Sequence, residues 1–204
     1  MSGATVYDRA YFDKWYRHPR HRVKSAGDIA RQLRFMVGAT EYLLERPVRR
    51  VLDVGCGEGN WLAPLRRLRP GAKYWGVDAS AYAVSRWGKR RNIQLGTFGA
   101  LGGGAVQLPD EIDLVMCCGV LMYVAPDELQ AGLRAIQAHA TGVCYFEVFT
   151  SEDDATGDFD REKMRPSRWW RRLFRDAGFV PCGMHLYLPR ALGDRAAILE
   201  RGRA

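Results

Sequence analysis

"VLDVGCGEGNW", residues 51–61, places three alternate glycines, Gly55, Gly57 and Gly59, directly behind a short aliphatic run. A run of that length and composition forms a buried strand, and the glycines end it. An ordinary connector needs one or two glycines, because each costs chain entropy on folding. Three at alternate positions mark a backbone that turns sharply and lies close to a ligand. In a doubly wound sheet, ligands sit at such exits, where the chain leaves a strand and enters a helix. The dinucleotide spacing G-x-G-x-x-G is not met, since Asn60 stands where its third glycine would fall. Asp53, two residues before the first glycine, adds a carboxylate that suits a cationic group better than a phosphate.

Outward from this turn, strands and helices alternate. Ile29, Leu33, Met36, Val37, Leu43 and Leu44 recur at helical spacing from Ser25 until Pro47 stops them. A strand over 49–54 then leads through the glycine turn into a helix over 61–68, ended by Pro70 and Gly71. "KYWGVD" (73–78) is a second strand, 80–90 a helix, and "NIQLG" (92–96) a third strand. "IDLVMCC" (112–118) is the strongest strand pattern, and Pro126 opens the following helix at a position that tolerates proline. A fifth strand covers 142–149 and an acidic loop covers 151–162, with six acids against one base. The helix "PSRWWRRLFRDAGF" ends at Gly178, and "VPCGMHLYL" and "RAAILER" form a final antiparallel hairpin turning around Gly193 and Asp194. The expected fold is therefore α/β: a doubly wound, mostly parallel seven-stranded sheet with helices on both faces and a C-terminal hairpin.

At 204 residues and 47% hydrophobic composition, the chain fits one domain over 1–204, with an aromatic and basic arm or lid over 1–24 and the core over 25–204. No apolar run is long enough for a membrane span and the N-terminus lacks a secretory pattern, so the expected location is the cytoplasm, as a monomer or homodimer. The five cysteines show no C-x-x-C spacing, and adjacent Cys117 and Cys118 would point to opposite faces of a strand; no metal site is expected. Residues 1–50 hold eleven Lys or Arg against five Asp or Glu, so the net charge of +8 is concentrated there.

"VLDVGCGEGNW" resembles motif I of the class I S-adenosylmethionine-dependent methyltransferases. "YWGVDAS" is similar to their second motif, "IDLVMCCGVLMYV" to their fourth-strand motif, and "WWRRLFRDAGF" to the helix before their last hairpin. The resemblance spans about residues 45–200. It implies a Rossmann-like fold and S-adenosylmethionine as methyl donor. It also implies that Gly55, Cys56, Gly57 and Gly59 line the donor's methionine portion, and that Asp53 positions its ammonium or the turn itself. Asp78 would accept from both ribose hydroxyls, which suits a carboxylate with two oxygens. Ala79, Ser80, Thr97, Phe98 and Gly99 would border the adenine, and Cys118 and Gly119 would touch the donor through backbone.

Transfer from a sulfonium releases a neutral thioether, so the protein must align the reactants and supply a base where the acceptor needs one. Tyr123, Glu147 and His18 are the candidate catalytic groups, and Tyr11, Trp15 and Tyr16 of the arm are candidates to enclose the acceptor. The chain lacks an N/D/S-P-P-Y/W segment after the fourth strand, having "CGVLMY" there, which favours a small molecule over nucleic acid. A non-catalytic S-adenosylmethionine-binding module and an NAD-dependent oxidoreductase are the competing readings.

Overall fold

The computed structural model describes residues 6–154 and 164–196. Seven strands form one sheet: β1 (Arg50–Val54), β2 (Lys73–Asp78), β3 (Ile93–Leu95), β4 (Ile112–Cys118), β5 (Ala140–Glu147), β6 (Phe179–Pro181) and β7 (Leu186–Pro189). Their order is β3-β2-β1-β4-β5-β7-β6. The first five are parallel, and β7 runs antiparallel to both β5 and β6. The strand order reverses direction at β1 and β4, which opens a cleft at their carboxyl ends.

The helices are α1 (Arg9–Phe12), continued by a π-helical turn over Asp13–Arg17, then α2 (Ala26–Leu44), α3 (Leu62–Leu68), α4 (Ala81–Arg91), α5 (Pro126–His139) and α6 (Ser167–Asp176). Ser25 and Asp28 close a reciprocal capping box at the start of α2, satisfying amides that the helix cannot. The alternation of β4 splits the core in two. Leu114 and Met116 pack with Leu33, Met36 and Val37 of α2 and Leu65 of α3, while Val115 and Cys117 pack with Leu129, Leu133 and Ile136 of α5 and Phe174 of α6. Helices thus cover both faces, and Cys117 and Cys118 point to opposite ones as strand alternation requires.

One buried charge ties the amino end of the sheet together. Asp113 is fully buried, accepts from both terminal nitrogens of Arg46 at 2.8 and 3.2 Å, and from the amides of Arg49 and Arg50 at 2.6 and 3.1 Å. Burial alone would raise its pKa. The Arg46 and amide bonds outweigh it and hold the carboxyl below its usual range.

The C-terminal hairpin is not where the sequence pattern placed it. Both of its strands lie within 179–189, with the reversal at Gly183–His185, where Gly183, Met184 and His185 all have positive φ. Gly193 and Asp194 instead belong to a 3-10 turn over Arg190–Arg195. Of "RAAILER", Arg195 lies in that turn and Ala196 follows it, and 197–201 lie outside the described residues. β5 also begins two residues earlier than expected, at Ala140, directly after α5. In the acidic stretch, 151–154 form an exposed turn, and the remainder falls outside the described residues. No described helix is long and apolar enough to cross a membrane.

Candidate active site

The glycine turn sits at the carboxyl end of β1 with φ of +70° at Gly55, +54° at Gly57 and +74° at Gly59, a region that side-chain-bearing residues rarely enter. Space is as restrictive as conformation. A Cβ on Gly55 would come within 2.2 Å of Val120, and one on Gly57 within 2.3 Å of the Tyr16 hydroxyl. Gly59 faces Ile93, Arg91 and Tyr74 instead, so it shapes the turn from behind.

Asp78, at the end of β2, holds the turn from the side. Its Oδ2 accepts from the Gly57 amide at 2.6 Å and its Oδ1 from the Ser80 amide at 2.8 Å. Burial raises its pKa, and the two amide bonds oppose the rise. The cap of α4 is Ser80, whose hydroxyl accepts from Ala83 N at 3.0 Å, so Asp78 is not spent on capping. Each carboxylate oxygen accepts one amide and keeps acceptor capacity for a further donor.

Asp53 is placed differently. Only 1% exposed, it lies beneath the turn, accepts from the Tyr74 hydroxyl at 2.7 Å and lines neither cavity described below. Burial pushes its pKa up to about 7, with the Tyr74 bond lowering it and Asp78 adding to the rise. Cys56 and Tyr74 share this apolar pocket, and both are raised well above their ordinary values by burial first and by Asp53 next.

Two cavities meet at Gly55, Cys118, Gly119 and Tyr123. The first, of about 230 Å³, is bordered by Gly57, Asp78, Ala79, Thr97, Phe98 and Glu128. Phe98 is 4% exposed and serves both as cavity wall and as core, packed against Gly132 of α5. Thr97 donates to Glu128 at 3.2 Å, a partner with no signal in the local sequence. The second cavity, of about 160 Å³, has Trp15, Trp61, Met122 and Phe149 as apolar walls and Lys24 and Glu147 as its charges. A wider depression of about 470 Å³ at the opposite end of the sheet, between Pro47–Arg50 and Arg69–Lys73, is lined by bases without an acid. The chemistry-bearing residues converge at the two smaller cavities.

The arm covers their junction. Tyr11 and Tyr16 line both cavities and Trp15 the second, while Phe12 is buried against Tyr16 and Tyr82. Arg17 forms an ion pair with Glu58 of the glycine turn, and Ser80 donates to the Tyr7 carbonyl at 2.6 Å. Asp78 raises the Tyr16 hydroxyl further, after burial. Tyr123, 39% exposed, faces both cavities. Glu147 accepts from Lys24 Nζ at 2.6 Å and from Gln32 at 3.2 Å, and Gln32 also donates to the Tyr145 hydroxyl at 2.9 Å. His18 stands apart: it is exposed, pairs with the His21 ring at 4.7 Å and lines neither cavity. Lys24, Gln32 and Val120 were not visible as site residues in the sequence, because their roles depend on α2 and the segment after β4 folding back over the turn.

A doubly wound sheet of this order, with a glycine turn and an acid at the end of β2, defines a Rossmann-like, cofactor-binding α/β class. The model of the methyltransferase domain family matches residues 20–196, and the chain belongs to that family: it is an S-adenosylmethionine-dependent methyltransferase. Among solved structures, the plantazolicin methyltransferase BamL, in complex with a triazolic desmethylPZN analog and SAH, superposes with a TM-score of 0.63 at 14% identity, covering 82% of this chain and 71% of that one. A SAM-dependent methyltransferase from Archaeoglobus fulgidus gives 0.57 at 18% identity, covering 83% and 73%. SAM-bound CalS10, an amino pentose methyltransferase from Micromonospora echinaspora, gives 0.54 at 20% identity, covering 76% and 63%. No curated protein sequence matches the chain.

Proposed function

We propose that the protein methylates a small-molecule acceptor seated in the aromatic cavity, with the donor's adenosine beside Asp78 and its amino-acid end toward Trp61 and Lys24. The observation that carries this reading is the junction of two chemically different cavities at Gly55, Cys118, Gly119 and Tyr123. One offers a carboxylate with spare acceptor capacity beside a close-approach turn; the other offers aromatic walls and a single ion pair. Bound there, the donor supplies a methyl carbon made electrophilic by a sulfonium.

The residues then have separable tasks. Asp78 accepts from a vicinal diol, Phe98 and Ala79 border a planar base, and the turn amides approach the remainder. Asp53, beneath the turn, shapes it through Tyr74 and does not touch the donor. Tyr11, Trp15 and Tyr16 close the junction as a lid and exclude water. Tyr123 and Glu147 reach the acceptor side and are the groups available to move a proton there; the position of His18 does not support such a role. One of the similar structures is that of an amino pentose methyltransferase, which is in keeping with a small acceptor.

The test is to incubate the protein with methyl-labelled S-adenosylmethionine and a cell extract, then to separate dialysable molecules from macromolecules. Label is expected in the dialysable fraction. Label only in RNA or protein, or donor that does not bind, would sink this reading.

A further inference from the structure

Charge along the two cavities is unevenly distributed. Among the described residues that line them, Lys24 is the single cation, against the carboxylates Asp78, Glu128 and Glu147. Asp78 is engaged by the turn and Glu128 by Thr97. Glu147 is neutralised by Lys24, whose Nζ lies 2.6 Å from it, 2.6 Å from Gln32 Oε1 and 5.6 Å from the centre of the Trp61 ring. The two charged side chains are only 24% and 17% exposed, so each depends on a partner in place of water. Lys24 and Glu147, the latter at the end of β5, line the second cavity together with Cys56, Asn60 and Trp61 of the turn, and of the pair it is Lys24 that lies over Trp61.

A donor whose amino-acid end carries a carboxylate binds more strongly where a cation stands beside the turn. A cation already paired to Glu147 is the one present. Resting on the donor assignment above, we propose that Lys24 is shared between the two substrates: it takes the donor's carboxylate and releases Glu147, which then receives a protonated amine as the acceptor. The aromatic walls suit the same guest, because a ring face attracts a cation and does not repel it. Donor binding in this arrangement builds the acceptor's anionic subsite, and linkage requires the acceptor to tighten the donor by the same factor.

Proton and electron accounts close. The ammonium passes one N–H proton to Glu147, the freed nitrogen lone pair forms the N–C bond, and the C–S pair returns to sulfur. A methylammonium, a neutral carboxyl and a neutral thioether result, with total charge unchanged.

Calorimetric titration separates this idea from a merely structural ion pair. S-adenosylhomocysteine should bind Lys24→Met at least tenfold more weakly than the wild type, while Lys24→Arg stays within a few-fold. 5′-Methylthioadenosine, which lacks the amino-acid end, should bind the wild type and Lys24→Met alike. Glu147→Gln removes the competitor for Lys24 and should bind S-adenosylhomocysteine as tightly as the wild type or more so. With benzylamine as the cationic probe, the wild type saturated with S-adenosylhomocysteine should bind at least fivefold more tightly than the free protein. Benzyl alcohol should show no such gain, and Glu147→Gln should lose it. Equal weakening of both nucleosides in Lys24→Met would overturn the proposal, as would benzylamine affinity indifferent to S-adenosylhomocysteine. Failure of the wild type to bind S-adenosylhomocysteine would overturn the donor assignment itself, a distinguishable result.

Discussion

The amide of Gly57 donates to Oδ2 of Asp78 at 2.6 Å, across 21 positions of sequence, and this bond fixes the glycine turn to the end of the neighbouring strand. The same carboxylate is available to the donor's ribose. In the proposed binding mode one residue therefore both shapes the site and binds in it.

Replacing Asp78 should damage both tasks. Charge-assisted hydrogen bonds contribute about 1.5–3 kcal/mol each, so Asp78→Ala should weaken S-adenosylhomocysteine by roughly 100-fold or more. Asp78→Asn keeps one acceptor oxygen and should lose about tenfold. Calorimetric titration reads the affinities, and thermal unfolding of the free proteins reports the turn's contribution separately.

Asp53 makes stability depend on pH in an unusual direction for an acid. Its folded pKa of about 7 lies above the ordinary value of 3.8, so between these values the folded state holds a proton that the unfolded chain has lost. The stabilisation from burying the neutral acid is complete below about pH 4, falls as pH rises, and is gone above about pH 7. Its full size is on the order of a few kcal/mol. Unfolding temperatures measured from pH 5 to 8 should fall for the wild type and change far less for Asp53→Asn, which stays neutral. Parallel pH profiles would refute the assignment.

Asp113 tests a different part of the molecule. Its removal leaves the Arg46 guanidinium and the amides of Arg49 and Arg50 without their acceptor at the amino end of the sheet. Asp113→Ala should cost roughly 1–3 kcal/mol of stability, because the two amides lose their acceptor while the Arg46 side chain, 34% exposed, can still be reached by water. Because this cluster lies at the amino end of β4 and the site at the carboxyl end, S-adenosylhomocysteine affinity of the protein that remains folded should change little. Denaturant unfolding and titration at low temperature distinguish the two effects.

Much of this layout was legible because it is written locally. Short, largely apolar runs locate β1, β2 and β4 to within a residue, and Gly55, Gly57 and Asp78 meet because adjacent parallel strands deliver their ends to one edge. The final hairpin lies earlier than expected because its reversal is one glycine, Gly183, inside a strand-like run, followed by Met184 and His185 at positive φ, while the more conspicuous Gly193 and Asp194 serve a 3-10 turn. In the sequence alone, Asp53 reads as a cleft carboxylate. Strand alternation turns it inward to Tyr74, a partner that only the β1–β2 register supplies. The Lys24–Glu147 pair spans 123 positions and joins the arm to β5, a separation at which no sequence period speaks.

Gly132 stands behind the first cavity without lining it. It lies in α5 behind Phe98, and a Cβ there would come within 2.3 Å of the Phe98 ring and 2.4 Å of its carbonyl oxygen. The ring is packed in the core, and the carbonyl belongs to the backbone that carries Thr97 and Phe98 along the first cavity. Gly132→Ala must therefore move α5 or that wall, and such overpacking costs about 1–3 kcal/mol. Helix propensity alone would favour alanine by about 1 kcal/mol, so a net loss of stability identifies the steric effect. S-adenosylhomocysteine should bind several-fold more weakly, and adenosine, which reports the same wall without the amino-acid end, should weaken in parallel. If Gly132→Ala stabilises the protein and leaves both ligands unchanged, Phe98 does not form the wall of the donor's site.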